Sequence, residues 1–252
     1  MFDLTGRVAL ITGASSGLGV QMGKALAKQG AKIAICARRK EKLERVAEEI
    51  RALGTECLAV VCDITKDEDI ENLISQTVAK YGKIDILINN AGGGANDPSI
   101  SMPKETLVKD INVDLIAPFL LTREVVKIML NQQYGRIINI CSVHGLTGST
   151  WSNNAAYKAA KGGLVNLTRQ FGVEWCTKGI TCNAICPGFF PTEALQGFMA
   201  NPNCQKMIDA IVPMKRIADM KDIDGAVVFL ASEESAYVTG TVLPVDGGYT
   251  CV

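Results

Sequence analysis

The sequence predicts one doubly wound α/β domain spanning residues 1–252, a parallel sheet of about seven strands with helices on both faces. Three observations predict it. Short apolar runs alternate with amphipathic stretches along the chain, the strand–helix–strand repetition that builds a parallel sheet. The strand-like runs are near-continuous in Val, Ile and Leu, as expected of strands buried on both faces. No Ser/Pro/Gly-rich linker divides the chain, and its 252 residues suffice to bury one sizeable core.

Val8–Ile11 is the first strand, and Gly17–Gln29 follows with helical spacing that puts Leu18, Met22, Ala25 and Leu26 on one side. Ile33–Cys36 is the second strand, followed by a charged helix over Glu41–Leu53 that stops at Gly54. Leu58–Val61 and Ile84–Ile88 are strands on either side of a helix over Asp67–Tyr81. Arg136–Ile140, Ile180–Ile185 and Val242–Val245 complete the set. In such sheets ligands bind beyond the carboxyl ends of the strands, so residues just after each strand carry the functional information.

Bulk composition narrows the field. The 26 basic and 26 acidic side chains cancel, which leaves no global field for nucleic acid or an anionic membrane. No apolar run approaches the ~20 residues of a membrane span, and Met1–Arg7 lacks a basic segment leading into an apolar one. The expectation is a cytoplasmic protein. The nine cysteines include no CxxC pair and only one histidine accompanies them, so we expect no metal site and read the thiols as buried and reduced.

After the first strand, Thr12-Gly13-Ala14-Ser15-Ser16-Gly17-Leu18-Gly19 leads into a helix. Glycines let the backbone approach a pyrophosphate, and the helix N-terminus supplies N–H donors. The spacing is GxxxGxG rather than GxGxxG, and a Gly/Ser cap with no ligand would read the same way. The second strand ends in Ala37-Arg38-Arg39-Lys40. Ala37 stands where an NAD site usually places an acid for the ribose 2′-hydroxyl. The cations that follow suit a 2′-phosphate, which predicts NADP(H) over NAD(H), with Arg38 the residue expected to act and Arg39 and Lys40 placed nearer the surface.

Tyr157 and Lys161 are i and i+4 in an Ala/Gly-rich stretch that reads as a helix, so they share a face. An ammonium beside the phenol, together with an oxidised nicotinamide, would lower a pKa that is ordinarily ~10 and let Tyr157 exchange a substrate hydroxyl proton. Ser142, just past the strand Arg136–Ile140, is placed to stabilise charge on a substrate oxygen, or to cap a turn. Asn89-Asn90-Ala91-Gly92 follows another strand, and Asn112 is polar amid Ile111, Val113, Leu115 and Ile116.

Together these residues resemble the short-chain dehydrogenase/reductase family. The likeness runs from Thr12–Gly19 through Asn89–Gly92, Asn112, Ser142, Tyr157 with Lys161 and Pro187-Gly188 to Val245-Asp246-Gly247-Gly248. The resemblance implies a Rossmann fold and reversible hydride transfer between NADP(H) and a ketone or secondary alcohol. It implies Tyr157 as acid/base, Lys161 on the cofactor ribose, Ser142 on the substrate oxygen and Asn112 in a proton relay behind Lys161. Cofactor contacts would come from Gly13, Ser15, Ser16, Gly17, Leu18, Gly19, Arg38, Arg39, Asp63, Ile64, Asn90, Ala91, Gly92, Tyr157, Lys161, Pro187, Gly188 and Thr192. A homotetramer or homodimer is also implied, packed through the helices around Asn112 and Tyr157.

Local phrasing is similar to the gluconate 5-dehydrogenase branch, notably Phe2–Arg7, Ile138–Ser142 and Pro187–Glu193. That branch tends to carry arginines after the Asn-Asn-Ala-Gly turn, whereas Gly93–Pro98 contains no cation. An apolar lid near residues 189–212 then suggests a bulky apolar ketone, as in hydroxysteroid dehydrogenases, with a sugar acid as the alternative; the same aromatic cluster reads equally as an oligomer interface or helix packing. Gly94, His144, Trp151, Phe189, Phe190 and Phe198 are the candidate substrate residues. Two further readings are a carrier-protein-linked ketoreductase and a non-catalytic NADP-binding regulator, but the latter has no use for the Ser-Tyr-Lys-Asn set.

Overall fold

The computed structural model describes residues 1–150 and 152–252. Trp151, one of the candidate substrate residues, lies outside the described residues. Among those described, seven parallel strands form one sheet in the order β3-β2-β1-β4-β5-β6-β7. They are β1 (Val8–Thr12), β2 (Lys32–Ala37), β3 (Cys57–Val61), β4 (Ile86–Asn89), β5 (Gly135–Ile140), β6 (Ile180–Pro187) and β7 (Val242–Val245). The chain winds outward from β1 to β3, then returns to lay β4 on the other side of β1. That reversal opens a crevice beyond the ends of β1 and β4, where doubly wound sheets bind ligands.

Side chains along the central strands alternate between two cores, as the two-residue period of a strand requires. Ala9, Ile11, Ile33, Ile35, Ile86 and Ile88 face α1 (Gly17–Lys28), α2 (Lys40–Arg51) and α9 (Asp224–Ala231). Leu10, Ala34, Cys36, Leu87 and Ile137 face α3 (Asp67–Tyr81) and α5 (Ala117–Gln132). The expectation of burial on both faces holds for these strands and fails at the edges. Val61 of β3 is 47% exposed, and no residue of β7 is fully buried.

The helix over Asp67–Tyr81 and the strand Val242–Val245 keep the bounds read in the sequence, and the other boundaries shift by one or two residues. Ile84 is excluded from β4 because its backbone N–H and C=O are taken by the Gln132 side chain, at 3.3 and 3.0 Å. All nine thiols are free, and seven of them are buried. None of the described helices is long and apolar enough to cross a membrane.

Two segments shape the site. The helical stretch containing Asn112 is α4 (Lys104–Ile111), followed by a π-helical turn over Asn112–Ile116 that runs into α5. Such widened turns recur at functional sites. Between β6 and α9, the segment expected to serve as a lid carries α7 (Gln196–Met199) and α8 (Cys204–Ile211). Phe189, Cys204, Ile208 and Val212 give it a small core of its own.

Candidate active site

One cleft of about 1590 Å³ runs across the carboxyl ends of β1, β2, β4, β5 and β6. Single small-molecule sites occupy roughly 300–1,000 Å³, so this one has room for two ligands side by side. Every predicted site residue within the described chain lines it except Gly19. Gly19 instead packs against Asn90, where an added Cβ would lie 2.6 Å from Nδ2. That close packing leaves no space for a side chain at 19.

At the β1 end, Gly13 turns the chain with φ of +66°, and a Cβ there would meet the Ala91 Cα at 2.6 Å. The Thr12 hydroxyl accepts from the Asn90 and Ala91 N–H groups, each at 3.0 Å. Asn90 returns a bond to the Thr12 carbonyl at 2.8 Å. The two glycine-bearing turns are thereby fastened into one floor with little side chain above it.

The cations after β2 divide differently from the expectation. Arg39, read as nearer the surface, reaches over the glycine turn and donates to Ser16 Oγ at 2.7 Å and Ser15 Oγ at 3.1 Å. Its other amino group pairs with Glu193 at 2.8 Å, and Lys42 holds the second Glu193 oxygen at 2.7 Å. Hydrogen bonds from Lys42 and then Arg39 draw the Glu193 carboxyl down to about 2. Arg38 is exposed and faces Asp63. Burial works against the Asp63 charge, yet the Thr65 hydroxyl and N–H bonds, with Arg38 and Lys66, hold its carboxyl below the usual range.

At the β5 end, α6 (Ala155–Glu174) brings Tyr157 and Lys161 to the cleft. The Lys161 ammonium is 5.7 Å from the Tyr157 ring centre and donates to the Ile140 carbonyl at 2.9 Å. It also meets Asp114 Oδ1 at 3.0 Å. The expected lowering of the phenol is not found in the chain by itself. Desolvation raises the Tyr157 pKa, and the opposing pull of Lys161 and of the Ser142 hydrogen bond does not overcome it.

Ser142 combines both readings given to it. Its Oγ accepts the His144 N–H at 3.1 Å, capping a short turn, and it also lines the cleft. His144 sits with Nδ1 2.9 Å from the Asn154 amide nitrogen, an arrangement that fits a neutral ring accepting at Nδ1. Burial, followed by the Lys158 charge, pushes its pKa down to about 4.

Sequence reasoning missed Asp110 and Asp114. Both are buried, and they share one helix face at i and i+4. Asp110 accepts the Ala95 N–H at 3.0 Å and Asp114 accepts that of Gly93 at 3.2 Å. The available signal was a second polar residue, Asp114, inside the same apolar run that singled out Asn112. Also missed were Lys104 and Lys109, which line the cleft from α4 together with Glu105. The absence of a cation in Gly93–Pro98 therefore does not make the cleft cation-free.

The aromatic lid residues are largely committed to packing. Phe189 and Phe190 are 6% and 3% exposed, and Phe189 meets the Phe198 and Tyr249 rings at 5.9 and 5.4 Å. Pro187 and Gly188 close β6, and Thr192 sits beside Gly17.

Comparison with known proteins agrees with this geometry. The family model described as enoyl-(acyl carrier protein) reductase matches residues 13–250. The chain belongs to the short-chain dehydrogenase/reductase family. It is 38% identical to the 3-oxoacyl-[acyl-carrier-protein] reductase FabG of Rickettsia prowazekii, over 100% of both chains. A 2-dehydro-3-deoxy-D-gluconate 5-dehydrogenase of Formosa agariphila is 34% identical, over 98% of this chain and 94% of that one. The structure of a gluconate 5-dehydrogenase from Burkholderia cenocepacia, in complex with NADP and tartrate, superposes with a TM-score of 0.95 at 33% identity, covering 100% and 98% of the two chains. As a short-chain dehydrogenase/reductase, this chain is an oxidoreductase acting on CH–OH or keto groups.

Proposed function

We propose that the chain is an NADP(H)-dependent oxidoreductase in which Tyr157, Ser142, Lys161 and Asn112 interconvert a ketone and a secondary alcohol. The supporting observation is that all four line one end of a cleft whose other end carries a bare glycine floor and Arg39. Room for a dinucleotide, cations for a 2′-phosphate and an ammonium at the far end together fit NADP(H). Arg38 and Arg39 would hold the 2′-phosphate, Asp63 and Ile64 the adenine, and Lys161 and Thr192 the nicotinamide half. When bound, the cofactor supplies or accepts the hydride.

The chain's own residues handle the proton. Tyr157 is neutral in the free chain and so begins as a donor to a nascent alkoxide, the reductive direction. Ser142 Oγ accepts a bond from His144, so its O–H, which bonds Tyr157 in the free chain, is the group that would turn to donate to the substrate oxygen. Asn112 opens the π-helical turn, where its carbonyl accepts the Ala117 N–H, and would support proton relay behind Lys161.

For the substrate we favour a sugar acid or similar hydroxy or keto acid. Lys104 and Lys109 at the cleft suit a carboxylate, and the gluconate-type relatives agree. A bulky apolar ketone is the second reading, supported by Val108, Leu195 and Phe198, which line the same cleft. NADPH oxidation against 5-ketogluconate, a set of keto-steroids and keto-bile acids, and an acetoacetyl thioester tests these. Turnover of 5-ketogluconate alone supports the first reading; turnover of steroids alone replaces it with the second; thioester turnover points to fatty-acid chemistry. Cytoplasmic location and self-association into a tetramer or dimer complete the proposal. Ile116 and Phe119, exposed at the start of α5, support a helix-mediated interface.

A further inference from the structure

We infer that Asp114 is a positioning residue of this site: its carboxylate anchors the Lys161 ammonium beneath the cleft and keeps it charged. The inference rests on the catalytic reading of Lys161 above, but its geometry stands independently.

Asp114 is fully buried in an otherwise apolar run, where an unpaired carboxylate would be costly. It has two partners. The Lys161 ammonium lies 3.0 Å from Oδ1, and the Gly93 N–H donates to the two oxygens at 3.2 and 3.3 Å. An ammonium has three protons to donate. Asp114 and the Ile140 carbonyl, at 2.9 Å, take two of them, which leaves the third for a hydroxyl in the cleft. The arrangement also accounts for Gly92. A Cβ there would fall 2.2 Å from Asp114 Oδ1 and 3.0 Å from Lys161 Nζ, so a side chain at 92 would wedge the pair apart.

The charged and titratable neighbours make the sign clear. Lys161 is faced by Asp114 from the π-helical turn, by Tyr157 from its own helix, and by Cys141 and Cys186 at the ends of β5 and β6. Asp110 faces Asp114 from the preceding turn. Burial alone would lower the Lys161 pKa; the Asp114 carboxylate, by its charge and its hydrogen bond, raises it instead, and Tyr157 and Cys141 add to the rise only at the alkaline pH where they too ionise. Removing the carboxylate removes the first of these charges and leaves the desolvation.

The test is the titration of Lys161 in the free chain, followed by NMR on protein with 13C-labelled lysine and assigned by loss of the signal in Lys161→Met. Asp114→Asn keeps an acceptor for both donors and deletes only the charge. Its Lys161 signal is expected to titrate about one pH unit or more below wild type, the shift typical of losing an adjacent opposite charge. Titration at the wild-type pH overturns the inference. If the Asn variant fails to fold, the smaller, neutral Asp114→Thr, whose hydroxyl keeps one acceptor, supplies the same comparison. Because no substrate or cofactor is present, the result is separate from the fate of the catalytic proposal, which falls if Tyr157→Phe retains full turnover.

Discussion

Arg39 and Glu193 meet at 2.8 Å across the mouth of the cleft, joining the strand that ends at Ala37 to the lid. The same guanidinium also bonds Ser15 and Ser16 in the glycine turn. An anion placed over that turn would find Arg39 already oriented. Arg39→Ala is expected to weaken NADPH binding by about tenfold, the worth of a charge-assisted hydrogen bond of roughly 1.5 kcal/mol, and to change NADH binding little. Calorimetric titration with both nucleotides reads this directly; equal losses for the two would refute a role at the 2′-phosphate.

Gly92→Ala is expected to disrupt the Lys161–Asp114 pair, since the added methyl cannot fit beside Asp114 Oδ1. Overpacking of this kind costs about 1–3 kcal/mol, read as a lower midpoint in thermal or urea unfolding. The loss should extend to NADPH affinity, because Lys161 moves with the pair. A variant with wild-type stability and affinity would show that the floor yields easily.

Acid should destabilise the fold partly through His144. Its folded pKa of about 4 lies below the value near ~6.5 expected unfolded. Its contribution is therefore whole above pH ~6.5 and lost as pH falls toward 4, because only the unfolded chain takes up the proton. Urea unfolding at a series of pH values should show His144→Gln with a flatter profile than wild type across that window. Parallel profiles would remove His144 from the acid response.

Self-association is expected to run through the exposed start of α5. Ile116 and Phe119 are 44% and 39% exposed there, although large and apolar. Phe119→Asp should lower the mass measured by light scattering from that of an oligomer to that of a smaller species. A wild-type chain that is already monomeric would end this expectation.

The fold was legible because strand runs such as Val8–Ile11 and Ile33–Cys36 lie in central strands, where burial on both faces writes itself into composition. Ser142 stood out because it follows the Arg136–Ile140 run, and Tyr157 with Lys161 because i and i+4 share a helix face; all three line the one cleft. Asp114 did not stand out. Its importance comes from Lys161, 47 positions away in sequence (161 − 114), and contact across that distance leaves no local spacing to detect. For a related reason, the separate parts of Arg38 and Arg39 were not legible. Adjacent cations at a strand end read alike until the glycine turn and the lid come to meet one of them. The aromatics Phe189 and Phe190 read equally as pocket wall or as packing, and they serve both: they line the cleft while most of their surface is buried.

The central claim is that Tyr157 moves the substrate proton, and the most direct measurement is turnover of NADPH with an accepted ketone by Tyr157→Phe. The account predicts a fall of about 10²–10⁴-fold, the usual contribution of general acid–base catalysis, with NADPH affinity unchanged within about twofold because the phenyl ring still fills the same wall. A variant that binds NADPH as the wild type does and keeps its turnover would contradict it.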